Sequence, residues 1–517
     1  NNDLLNNFIY RKIYFNLSSS LKAFILILIS FSQLSCNYIE KSERIIIASA
    51  GKIESLDPAQ ANTLRSLQLI SALGDPLYRI NEKGNLIPIL AKDLPVVSDN
   101  GLTIDIALKE KITFHDGESF NSSAMAFSLN RFMNIGTQNY VIGERIKEIQ
   151  TPKKYLIRLK LNKPSSSING LLTSINLTPL SPKSYAKYQD KFLNNNFIGT
   201  GPYKLTSFQP EKQRLEPFKK YWGKEPKNKG IDYINFSNTS SLFGAIRNGQ
   251  VDVLLSNSID DGQRLSLNRL ARKGKLFEGT GPAIELGYIT LNSSSKPFKN
   301  AFIRKAIMYT IDRELITKKV SYELREPIRS IIPPNLKQKK HSPWPKYDPN
   351  AAKELLKKEG YCLGNQLTIP LTFRSNVPAD KLLALTWKEQ IKQDFSDCLK
   401  VEVNGIESTT VYKQLSQGSY AAVILDWTGA YPDPEAYLSP LLSCEEIVDQ
   451  TCKKGEAVFS GSFWASSKVQ KALNESEKLI GNKRMNKLLE IEDHAANGSS
   501  YLPVWLVKPK AWSQKNI

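Results

Sequence analysis

The sequence predicts an α/β protein of several domains, and three observations carry that reading. The chain has 517 residues, of which 41% are hydrophobic and 23% charged. That is globular composition, at a length where a single core normally divides into two to four domains. From Pro349 onward, helix-like and strand-like stretches alternate. Finally, Leu242 to Asn248 has helical spacing, Gly249 follows, and Val251-Asp252-Val253-Leu254-Leu255 reads as a buried strand. Helix, glycine stop and buried strand together make an α/β unit.

At the N-terminus, Arg11, Lys12 and Lys22 precede the apolar stretch Ala23 to Phe31, which runs into Ser32-Gln33-Leu34-Ser35-Cys36. A basic flank, a short apolar core and small residues describe a secretory signal, expected here over residues 1–36. The apolar core is shorter than the roughly 20 residues that span a bilayer. Cys36 after Leu34-Ser35 resembles a lipobox cysteine and is the expected lipidation site, although Gln33 stands where that box usually has leucine.

Next, Arg44 to Ser49 reads as a buried strand, Ser55-Leu56-Asp57-Pro58 as a turn and Ser66 to Leu77 as a helix. Asn100-Gly101 is a hairpin signal, followed by the alternating strand Leu102 to Leu108. Ile112-Thr113-Phe114-His115-Asp116-Gly117 closes in a second turn. Asn121 or Ser122 then caps a helix carrying Met125, Leu129 and Phe132 on one face. Tyr155 to Leu161 and Lys204 to Phe208 are strands, the latter preceded by the loop Gly199-Thr200-Gly201-Pro202-Tyr203. That loop lacks the Lys-Ser/Thr of a phosphate loop. Glu285 to Asn292 is strand-like, and Ile303 to Arg313 reads as one helical run. Pro349 to Gly360 is a helix, Leu367 to Phe373 a strand, Leu382 to Phe395 a helix, Leu399 to Val403 a strand, and Leu502 to Val507 a late apolar strand. The sequence holds no internal repeat.

Charge and cysteines narrow the function. The net charge is +20, but the basic residues are scattered, with no Arg-rich helix or aromatic-basic pattern, so no nucleic acid partner is expected. Export permits disulfides. Beyond Cys36, four cysteines allow three pairings. Cys444 and Cys452 flank a short polar loop, while Cys362 and Cys398 each follow a helix-like segment and precede a strand-like one. The expected pairs are Cys362–Cys398 and Cys444–Cys452. No C-x-x-C occurs and there are three histidines, so no metal site or cofactor is expected. No hydrolase elbow, zinc-protease helix or P-loop appears, which argues against an enzyme.

One stretch suggests a ligand site. Ala421 to Leu425 is a short buried strand opening into Asp426-Trp427-Thr428-Gly429-Ala430-Tyr431-Pro432-Asp433-Pro434, before a helix start at Glu435. Two prolines end strand pairing, and the rings offer contact area at low entropic cost. Taken alone, the commoner reading of such a stretch is a surface turn with its aromatics folded back.

The blocks in order resemble a known family. Ile87-Pro88-Ile89-Leu90-Ala91 with Phe114-His115-Asp116-Gly117, Gly199 to Tyr203, Tyr221-Trp222, Ile246 to Asp252, Pro297 to Arg313, Tyr347-Asp348-Pro349 with Ala352 and Leu355-Leu356, and Trp427 to Leu438 are similar to the motifs of the bacterial extracellular solute-binding proteins of family 5, which serve peptide and nickel ABC importers. The resemblance covers residues 44 to about 507. It implies a two-lobed, periplasmic-binding-protein-like clamp (type II, cluster C-like) with an extra subdomain in the first lobe. The expected boundaries are 44–80 and 201–286 for the core of the first lobe, 81–200 for the subdomain, 287–496 for the second lobe and 497–517 for a return to the first. Hinge strands are expected near Glu285–Leu291 and Leu502–Val507.

The resemblance also implies a function: capture of a peptide or peptide-like solute, as a monomer, and delivery to ABC permease subunits. A secreted hydrolase, or a binding protein turned sensor or chaperone, is the alternative. Trp427 and Tyr431 are the first expected contacts, with Thr428, Gly429 and Ala430 on the same loop, Arg374 for a ligand carboxylate, and Asn62 and Thr63 from the first lobe. Ala430 departs from the family pattern, which usually has an amine-binding aspartate there, while Asp433 matches a separate, structural aspartate. His115 and Asp312-Arg313 are expected to be structural.

Overall fold

A computed structural model describes residues 43–61, 63–81, 85–255, 258–337 and 340–517, with the side chains of 140 and 141 excepted. The expected signal over 1–36, Cys36 and Asn62 lie outside the described residues. Ile45 to Ile517 form one contact unit.

Its first sheet has seven strands, in the order Phe277–Thr280, Lys510–Ser513, Val253–Leu255, Ile45–Ala50, Ile231–Phe236, Lys212–Pro217, Tyr203–Gln209. Ile45–Ala50 runs parallel to both neighbours, which is why IIIASA carries apolar residues consecutively and not alternately. Helices Leu64–Leu73 and Thr239–Arg247 each start on a side-chain cap, Thr63 and Asn238.

The second sheet has six strands, ordered Arg325–Pro327, Tyr501–Val507, Glu285–Leu291, Ala422–Thr428, Leu367–Arg374, Leu399–Ile406. Leu367–Arg374 pairs in parallel with both neighbours, the product of the alternation seen in the sequence. Glu285–Leu291 and Tyr501–Val507 lie side by side and antiparallel in this sheet. The chain therefore passes between the two large sheets at 281–284 and again at 508–509, just outside those two strands. Gly287 permits their contact, because a Cβ there would come within 2.1 Å of the Trp505 indole.

A third, four-stranded antiparallel sheet orders Val96–Ser98, Thr103–Ala107, Leu156–Leu161, Ile146–Lys153. Helix Ser122–Ile135, capped by Asn121 through Ala124 N–H at 3.0 Å, packs Met125, Leu129 and Phe132 into the same core. Tyr431, Ala436 and Tyr437 belong to that core as well, although they follow a strand of the second sheet.

The single helical run expected over Ile303 to Arg313 is instead two helices, Ala301–Met308 and Arg313–Ser321. Asp312 accepts from Leu315 N–H at 3.0 Å and caps the second, a structural role as expected, while the run it was placed in breaks just before it. Both expected disulfides are present, Cys362–Cys398 and Cys444–Cys452.

The recognisable motifs of the first lobe converge on one joint. The buried Asp75 carboxylate accepts from Trp222 Nε1 at 3.1 Å, Tyr221 Oη at 3.3 Å and Thr200 Oγ1 at 3.4 Å. Gly201 lies against Leu73, where a Cβ would meet backbone at 2.4 Å. His115 Nε2 bonds Gly201 O at 3.1 Å. Burial lowers the His115 pKa to about 4, so the ring is neutral and its Nε2–H donates. As expected, the Phe114-His115-Asp116-Gly117 block is a structural turn, with Gly117 at φ +85°.

Candidate functional site

Strand Ala422–Thr428 delivers the loop of interest, and Trp427 is held in place by donating Nε1–H to Ala436 O at 2.8 Å. Gly429 lets the loop fold tightly over helix Glu435–Leu442, since a Cβ would stand 2.6 Å from the Tyr437 ring. Asp433 takes a bidentate pair from Arg484 at 2.7 and 2.8 Å and accepts from Glu435 N–H at 2.9 Å. It anchors the loop, as the Asp-Pro aspartate was expected to do.

The loop forms one wall of a cavity of about 830 Å³. Trp427, Thr428, Gly429, Ala430 and Tyr431 all line it. Opposite stand Leu64 and Leu67 from the helix beside the first sheet, and Phe132, Arg145, Asn176 and Leu177 from the elements around the four-stranded sheet. The cavity is thus walled by residues from elements of both lobes.

Polar bonds join these walls. Arg145 Nη2 lies 3.4 Å from Glu435 Oε1, and Tyr431 donates its hydroxyl to the other Glu435 oxygen. Ser167 Oγ is 3.4 Å from both Glu477 oxygens, and Ser166 N–H donates to Glu477 O at 3.1 Å. Burial pushes the Glu435 carboxyl up, against the pull of Arg145. Burial disfavours the Arg145 charge, but Glu435, Tyr431 and Glu477 outweigh it and hold the guanidinium charged. The lining also has a sign. Glu144, Glu285, Glu435, Glu445, Glu456 and Glu477 face it against Arg145, Lys163 and Arg264, so a chain of net charge +20 presents an acid-rich cleft.

Two expected contacts are placed elsewhere. Arg374 is 4% exposed and does not line the cavity. Its Nε and Nη2 bond Asp380 at 2.7 and 3.1 Å, its Nη2 bonds Asp426 at 2.7 Å and its Nη1 bonds Tyr412 Oη at 2.8 Å. Burial opposes that charge, and Asp380 and Asp426 more than restore it. A guanidinium with two carboxylates of its own is not a free receptor for a third. Thr63 is spent as a helix cap, accepting from Ser66 N–H at 3.3 Å, and Leu64 and Leu67 reach the cavity in its stead. These leucines, Arg145, Glu435 and Glu477 were not singled out from sequence. Only Glu435 lies within a recognised motif, directly after Pro434.

The described residues contain one group of three metal-type side chains, Cys362, Asp397 and Cys398. Its two cysteines are bonded to each other, so neither is a thiolate ligand.

The comparisons with known proteins agree with this architecture. The model for bacterial extracellular solute-binding proteins, family 5, matches residues 85–449. The chain belongs to that family. It is 24% identical over 480 residues to the glutathione-binding protein GsiB of Salmonella typhi, covering 92% of this chain and 91% of the relative. Among solved structures, the ABC transporter substrate binding protein CtaP of Listeria monocytogenes superposes with a TM-score of 0.78 at 19% identity, covering 92% of this chain and 94% of that one. The dipeptide binding protein of Pseudoalteromonas sp. SM9913, solved with Met-Leu, gives 0.74 at 21% identity over 91% and 96%. NikZ of Campylobacter jejuni, solved with Ni(L-His), gives 0.74 at 19% identity over 92% and 94%. These likenesses establish the fold as a type II, two-lobed clamp. Among the described residues no helix is long and apolar enough to cross a membrane.

Proposed function

We propose that the cavity between the lobes holds a peptide or peptide-like solute, which the protein delivers to the permease of an ABC importer. The observation that carries this is the cross-lobe wall. Tyr431 sits in the core of the opposite subdomain while its loop lines the cavity. A solute touching both walls gains contacts only when the lobes are closed, so its differential affinity favours closure. Trp427 and Tyr431 supply aromatic faces, and the 428–430 backbone supplies donors and acceptors for an extended main chain.

The solute class follows from what position 430 lacks. Ala430 offers no carboxylate to a free amine, so an ammonium is not anchored at this loop. The glutamates of the cavity wall are the remaining counter-charges. Binding without chemistry fits the chain, whose relatives are binding proteins. The secretory pattern before Cys36 supports a periplasmic location with a lipid anchor at that cysteine, and a monomer is the expected state.

Native mass spectrometry of protein purified from its own host tests the solute class. An unmodified peptide with its amine held at the 427–431 loop refutes the reading of Ala430. Small-angle scattering tests the clamp: the radius of gyration decreases on saturation, and an unchanged radius overturns lobe closure.

A further inference from the structure

A second cavity, of about 850 Å³, lies between the start of helix Arg313–Ser321 and the segments 327–337 and 340–347. Its electrostatics run opposite to those of the cleft. Arg313 is 5% exposed and lines it. Its Nε donates to Pro503 O at 2.6 Å and its Nη1 to Pro345 O at 3.1 Å, but among the described residues its buried Nη2 has no partner. Arg329 lines the same space and spends Nη1 on Trp344 O at 2.9 Å. Carbonyls fix both guanidinia, and among the described residues no carboxylate pairs with either. Lys346 lines the cavity as a further cation.

The nearby acids are committed or peripheral. Asp312 lines the cavity and caps the helix through Leu315 N–H, Glu314 lines it from an exposed position, and Glu492 is taken by Lys337 at 2.8 Å and by the Ile331 and Ile332 N–H groups at 3.0 Å. Burial and the Arg329 charge both press the Arg313 pKa down, to about 9. The adjacent Asp312 charge offsets this only in part, and a fixed fork of N–H donors with one buried donor unused matches an oxyanion in shape and charge.

We propose that this cavity binds a small oxyanion, of the phosphate or carboxylate class, between Arg313 and Arg329, independently of the solute held between the lobes. Calorimetric titration of the whole protein tests it, using sodium phosphate and sodium acetate in separate arms at pH 7, with ionic strength held constant by chloride. Saturable one-to-one binding in either arm is expected, and the arm that binds names the class. Replacing Arg313 removes bonds to two carbonyls and endangers folding, so Arg329→Gln is the primary variant, expected to weaken the anion about tenfold or more. Lys346→Gln should weaken it about threefold. Affinity for the cleft solute should stay unchanged in both variants. The proposal is overturned if neither anion gives saturable heat beyond the chloride control. It is overturned equally if Arg329→Gln leaves the affinity intact, which would place the anion elsewhere, the cleft included.

Discussion

The Asp75 joint and the Trp427–Glu435 loop are both polar and both built from distant segments, yet they do opposite work. At the joint, a buried carboxylate collects donors from Thr200, Tyr221 and Trp222 and lines neither of the two cavities described. Those bonds lie within one lobe and have no reason to break. At the loop, Arg145–Glu435 and Ser167–Glu477 cross between elements of the two lobes, so they exist only while the walls are together. The most recognisable motifs of the first lobe maintain geometry, while the residues that line the cavity are scattered over elements on its two sides.

This contrast can be broken in four ways. Asp75→Ala removes the acceptor shared by four donors, Arg79, Thr200, Tyr221 and Trp222, and should cost about 4 kcal/mol of stability. Urea unfolding measures it, and solute affinity of the folded protein should stay within about twofold. The neighbouring His115 gives the next effect. Its folded pKa is about 4, below the ordinary value of about 6.5. Above pH 6.5 the ring is neutral in both states and contributes no slope. As pH falls from 6.5 toward 4, the unfolded chain takes up a proton that the folded chain refuses. Stability therefore drops across that window, by about 3 kcal/mol in all, and His115→Gln should flatten the pH profile of unfolding.

On the loop side, Trp427→Ala should weaken solute binding about thirtyfold. Because the ring also packs on the core and bonds Ala436 O, it should cost about 2 kcal/mol of stability, less than Asp75→Ala, as titration and calorimetry on one preparation would show. The smallest effect sharpens the comparison. Ala430→Asp restores a carboxylate at the loop and should improve the affinity for a free-amine peptide about tenfold over its N-acetylated form. An equal change for both forms would mean that position 430 does not face the amine end.

How far the sequence reveals this depends on what each feature requires. Periodicity is local, so the strands Leu367–Arg374 and Ala422–Thr428 were legible, as were the two cysteine pairs flanking recognisable elements. The loop was legible because Trp427, Asp433 and Pro434 hold a fixed spacing. Arg374 was not. Strand residues alternate faces, and the face of the last residue depends on how the chain turns away. Here it turns so that Asp380, in the first turn of the next helix, captures the guanidinium. The break before Arg313 was hidden because aspartate is tolerated within a helix and favoured at its cap, and periodicity does not separate the two uses. Arg145 and Glu477 reach the cavity through tertiary packing, and nothing within a few residues of either signals it.

Of the two disulfides, the shorter touches the cleft. Cys444 lines the cavity, and its bond to Cys452 spans eight residues and ties off the hairpin of Glu446–Val448 and Thr451–Lys454. Gly455 and Glu456, just beyond, complete that part of the wall. Closing a loop of this size stabilises by about 2.5 kcal/mol. A chain still in a reducing cytosol would carry that corner untied, with a looser grip on any solute met there. Oxidation of this one sulfur pair would therefore fix the shape of that corner of the cavity wall.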